Sequence, residues 1–214
     1  MRGHRPVPSD GAFTDWNVGK ARKPASRRED TNSTAGASPL FKARIAGLFY
    51  LLVFVTGIVS LVSVRSRGAA NLVASGCYVV VTILLYQLFK PVSRGLSLIA
   101  ALFSLVGCIL GALMSFHLAP AWPNSLGVFG VYCLLIGYLI LKSTFLPRIL
   151  GALMMFGGLG WLTFLSDGLA GSLSPFNMAP GIIGELALTL WLLVKGVNAE
   201  RWYEQAAAAR EGRS

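Results

Sequence analysis

Charge is what this sequence has least of. Nineteen basic and nine acidic residues in a chain of 214 make 13%, where a soluble domain carries about 25%. With 54% hydrophobic residues, that scarcity excludes a soluble globule, and it equally excludes a coiled coil or a chain disordered throughout. Histidine is limited to His4 and His117, so no multi-histidine metal or haem centre can be built. Cysteine is limited to Cys77, Cys108 and Cys133, each inside an apolar run. Their spacing fits neither a zinc site nor a disulfide-built secreted module, and they read as small buried apolar residues. His-Glu-x-x-His and Gly-x-Ser-x-Gly are missing, and no aspartate stands inside an apolar run to make an intramembrane acid pair. No catalytic residue, metal or cofactor is expected, and the sequence leans away from an enzyme.

The charge that is present is segregated. Only eight of the Asp, Glu, Lys and Arg residues fall between Ile45 and Val194; the others lie in the two tails. Between the tails run six apolar stretches of about the length that crosses roughly 30 Å of hydrocarbon: 45–64, 69–89, 96–116, 125–141, 149–166 and 180–197. The expected fold is all-α, a polytopic transmembrane bundle of six spans over residues 41–198. Residues 1–40, mixed in charge and without periodicity, are expected to be a disordered basic tail. They do not read as a cleaved signal, since the charged region is too long and no small-residue cleavage site follows the first span. Residues 199–214 read as a short tail able to form an interfacial helix with Trp202 and Tyr203 at headgroup depth.

Lysine and arginine set the orientation. Six spans put both tails on one side, and with the tails inside, seventeen cations are cytoplasmic while Arg65 and Arg67 alone are outside. Both termini are therefore expected in the cytoplasm, in a bacterial inner membrane. The same arrangement argues against nucleic acid as a partner, because the cations form no single stripe. Three spans end with an aromatic four residues before a lysine: Tyr86 and Lys90, Tyr138 and Lys142, Trp191 and Lys195. That spacing puts ring and ammonium on one helix face and reads as membrane anchoring, with binding of anionic lipid headgroups on the same face as the alternative.

Two features inside the membrane bear on function. Glycines concentrate in the third span (Gly107-x-x-x-Gly111) and the fifth (Gly151, Gly157, Gly158, Gly160), and read as faces where helices approach closely. Glu185 is the one acid within a span, expected near the outer end of the last helix, within reach of the helix dipole and water. With His117 ending the third span and Asp167 ending the fifth, it defines a candidate ion or proton site on the outer side, if the three meet.

Residues 43–52 (ARIAGLFYLL), 84–94 (LLYQLFKPVSR) and 145–151 (FLPRILG), with Gly137-Tyr138-Leu139 before Lys142-Ser143, resemble a bacterial multispanning family. It is catalogued as a domain of unknown function (four-three-eight-six), and the resemblance covers about residues 41–200. It implies a polytopic inner-membrane protein and brings no activity or catalytic residues. The leading expectation is thus a noncatalytic accessory or scaffold component, with a protein partner reached through the N-terminal tail. A small transporter or proton-coupled permease using Glu185 is the alternative, and a membrane-embedded enzyme the third.

Overall fold

The computed structural model describes residues 38–118 and 123–212, and no strand occurs among them. Eight α-helices follow in order: α1 (Pro39–Val62), α2 (Arg67–Phe89), α3 (Arg94–Ser115), α4 (Ser125–Lys142), α5 (Arg148–Leu162), α6 (Asp167–Leu173), α7 (Met178–Val194) and α8 (Ala199–Glu211). A 3-10 turn, Thr163–Leu165, extends α5. The tail assigned to residues 1–40 lies outside the described residues up to residue 37; Ser38 caps α1 and Pro39 opens it.

Local chemistry sets the starts. Ser38, Ser93, Asn124 and Asn198 each accept a first-turn backbone N–H through the side chain, satisfying a donor that the helix cannot. Pro39 follows its cap directly, where the missing N–H costs nothing. The α7–α8 corner turns on Gly196, whose φ of 70° falls in the left-handed region and whose hydrogen faces Leu40 of α1.

Consecutive helices pack in a closed ring: α1 on α2, α2 on α3, α3 on α4, α4 on α5, α5 on α7, and α7 back on α1. Large apolar side chains point outward from it, including Ile58, Val62, Ile109, Ile149 and Val194, each more than half exposed. Thr82, Ser104, Glu185 and Thr189 are buried within. An apolar exterior around a partly polar interior suits hydrocarbon as the solvent.

Five helices, with α5 counted through Leu165, are long and apolar enough to cross a membrane. The sixth span departs from the expected uninterrupted 180–197. Its helix, α7, has 17 residues, and α6 precedes it at 83°, the bend of a broken span or a re-entrant loop, so the described residues hold five crossings, or six with this pair counted as one. Pro175 explains the break. It disfavours helical geometry at the residue before it, and Ser174 accordingly sits at φ −66°, ψ 139°. Pro180 lies in the first turn of α7, where proline is tolerated.

The expected glycine faces are close contacts at every position but Gly111, with partners beyond those singled out. Gly130 and Gly137 on α4 oppose Gly158 and Gly151 on α5. A Cβ on Gly158 would stand 2.8 Å from the Gly130 carbonyl oxygen, and one on Gly151 would stand 2.7 Å from that of Gly137. The opposite face of α5 meets α7, where a Cβ on Gly157 would fall 2.9 Å from the Pro180 carbonyl oxygen. Gly107 lies against the Phe129 ring, whereas Gly111 has only the Ser75 hydroxyl nearby, at 3.7 Å from its would-be Cβ.

Candidate functional site

Glu185 is the eighth residue of the 17 in α7, and it is buried. This corrects its expected position beside water near the helix end: the side chain points into the ring of helices. Tyr50 stands twelfth of 24 in α1, Tyr78 twelfth of 23 in α2 and Tyr132 eighth of 18 in α4, so three phenols sit in mid-helix beside it. All three are buried.

The carboxyl group meets donors from four other helices. Oε1 accepts from the Trp161 indole N–H at 2.7 Å, with the Cys133 thiol 3.7 Å away. Oε2 accepts from the Tyr50 hydroxyl at 3.0 Å and from the Tyr78 hydroxyl at 3.3 Å, and the two hydroxyl oxygens are 2.8 Å apart. Every donor is neutral, so no cation among the described residues pairs with the carboxyl group. The rings also hold one another: Tyr78 is edge-on to Tyr50 at 5.2 Å and to Tyr132 at 5.9 Å. The Tyr132 hydroxyl is buried in this cluster without a hydrogen bond.

Gly181 makes the indole contact possible. It lies one turn before Glu185 on α7, and a Cβ there would collide with the Trp161 ring. The bare backbone lets the ring lie across α7 and bring Nε1 to the carboxyl group. Thr189, one turn beyond, returns its hydroxyl to the Glu185 carbonyl oxygen at 2.7 Å.

His117 and Asp167 do not join Glu185. His117 is exposed just past α3 with φ 58°, a left-handed conformation that histidine adopts more readily than most residues. Asp167 is exposed at the first residue of α6. Among the described residues no group of three His, Cys, Asp or Glu could hold a metal ion. The true partners, Tyr50, Tyr78, Cys133 and Trp161, escaped the sequence reading. One signal was available: tyrosine favours the membrane interface, and Tyr78, like Tyr132, falls in the middle of its span, 69–89 and 125–141 respectively.

Of the anchor pairs, Lys142 lies with its ammonium 5.6 Å from the Tyr138 ring centre. Lys90 and Lys195 are exposed, and Tyr86 and Trp191 half-buried. All three pairs lie at one end of the bundle, where Trp202 of α8 donates to the Leu88 carbonyl at 2.8 Å and Asn198 donates its N–H to Phe145.

Fold and site together define a multi-pass helical membrane protein with a carboxyl group buried among phenols. The family model for Domain of unknown function (DUF4386) matches residues 62–125 and 112–196, and the chain belongs to that family. A protein of Archaeoglobus fulgidus, described as uncharacterized, is 31% identical over 124 residues, covering 55% of this chain and 76% of the relative. No solved structure matches.

Proposed function

We propose that the protein is a small transporter that carries protons across the membrane, binding and releasing them at Glu185. One observation carries this reading. Glu185 Oε2 and the hydroxyl oxygens of Tyr50 and Tyr78 form a triangle with edges of 2.8, 3.0 and 3.3 Å. Each phenol supplies one hydrogen. With Glu185 ionised, two hydrogens serve three edges and one edge stays empty. With Glu185 neutral, three hydrogens serve three edges, each oxygen giving one bond and receiving one. The site therefore has bonding positions for either proton count without moving a heavy atom, while Trp161 holds Oε1 in both states.

An ionisable group at membrane depth is costly and marks proton and ion pathways more often than packing. The setting agrees, because Glu185 stands on the second limb of a broken helix pair, the element on which transporters commonly place binding sites. The end bearing Lys90, Lys142 and Lys195 is assigned to the cytoplasm on the excess of Lys and Arg there, which puts the α6–α7 break on the outer side. The membrane is the energised cytoplasmic membrane, where a proton gradient is available.

The test is proton flux. Purified protein in liposomes is expected to speed the decay of an imposed pH gradient, read by an internal pH dye, and Glu185→Gln is expected to return it to the rate of empty liposomes. Equal rates for Glu185→Gln and the unaltered protein would overturn the proposal. A second reading, the noncatalytic scaffold, draws on the origin of the donors in four helices, which makes Glu185 a cross-link. It predicts no flux from the unaltered protein and a loss of thermal stability for the variant.

A further inference from the structure

The basic end of the bundle carries a second site. A cleft of about 480 Å³ opens between the α4–α5 connection and the α7–α8 corner, lined among others by Thr144, Pro147, Trp191, Lys195, Asn198 and Arg201. That volume is within the roughly 300 to 1,000 Å³ usual for small-molecule sites. Its two charged groups are both cations, and neither Lys195 nor Arg201 has an ion-pair partner among the described residues. Glu200 and Glu204, the acids nearest them in sequence, form no ion pair with either.

We infer that this cleft binds a phosphate-bearing anion, presented to it as the headgroup of an acidic phospholipid. The guanidinium of Arg201 offers a planar fork that matches two phosphate oxygens, and the Lys195 ammonium adds a compact charge beside it. The depth fits a headgroup, because Trp191 lines the cleft one turn before Lys195, with the ring and ammonium spacing of a membrane interface. Adjoining positions fit acyl chains: Ile149, two residues past Pro147, and Val194, beside Lys195, are 63% and 65% exposed. A soluble anion would use the cations and leave these apolar faces idle. The fold builds the cleft through Gly196, whose positive φ turns the chain between Lys195 and α8. The Thr144 hydroxyl, 3.4 Å from the Arg201 carbonyl oxygen, ties the opposite wall to α8.

Native mass spectrometry of the purified full chain tests this with phosphatidylglycerol, phosphatidylcholine and inorganic phosphate as probes. The expected result is one retained phosphatidylglycerol, preferred over phosphatidylcholine, with the preference falling about tenfold in Lys195→Gln/Arg201→Gln. It should persist in Lys90→Gln/Lys142→Gln, which removes two cations from the same end. Retention of the lipid against excess inorganic phosphate identifies the headgroup as ligand; displacement by phosphate identifies a soluble anion at the same cations and overturns the lipid assignment. Equal retention of the two lipids by the unaltered protein, or equal loss in both double variants, would overturn the site itself. The comparison of lipids on the unaltered protein needs no variant to fold.

Discussion

Replacing Gly158 with leucine is expected to lower the stability of the bundle by about 3 kcal/mol or more, the upper range for overpacking. A Cβ at that position stands 2.8 Å from the Gly130 carbonyl oxygen, and the leucine branches lie beyond it. The obstacle is backbone, so no rotamer change relieves it, and α4 and α5 must separate. Separation is costly because helices in lipid associate through van der Waals contact, which fades within an ångström of added distance. Thermal unfolding in detergent checks the result, with Gly76→Leu as control, since nothing lies within 4 Å of a Cβ there. Similar midpoints for the two variants would contradict the close contact.

Trp161→Phe is expected to cost between about 1 and 3 kcal/mol, the penalty for leaving a buried polar group without its partner. Hydrogen bonds between membrane helices average only about 0.6 kcal/mol, but this one ends on an ionisable carboxyl group and is the shortest that the carboxyl group accepts. Gly181→Ala should have the same consequence by another route, since its methyl group displaces the indole while leaving the N–H intact. A double-mutant cycle between Trp161→Phe and Gly181→Ala separates these effects. If both act by removing the bond to Glu185, the double variant is hardly less stable than either single one; full additivity would show that Gly181 matters only as packing.

The spans were legible because hydrocarbon demands runs of about 20 apolar residues and leaves few alternatives. The bend between α6 and α7 was not, although Ser174-Pro175 carried the signal, because an apolar tally does not register that a proline fixes the geometry of the residue before it. Glycines on α5 announced a close contact but not its partner. Gly130 and Gly137 become visible as that partner once the equal seven-residue spacing of Gly151 and Gly158 is set against them across a short connection. Glu185 stood out from composition alone, whereas His117 and Asp167 were grouped with it by supposed depth. Depth along a span says nothing of facing, and the mid-helix tyrosines, from chain segments far from Glu185, are what the ring of helices brings to it.

The carboxyl group of Glu185 is the centre of this account, and the claim is that it takes up and gives back a proton in place. Infrared difference spectra of the protein in lipid nanodiscs, taken between acidic and alkaline buffer, test that most directly. Groups shared by the unaltered protein and Glu185→Gln cancel, so subtracting one spectrum from the other isolates Glu185. The account predicts a residual exchange between protonated-carboxyl and carboxylate bands, with a phenol band that moves in step and is altered by Tyr50→Phe. A flat residual, with Glu185 in one protonation state throughout, would contradict it and leave the carboxyl group as a structural cross-link.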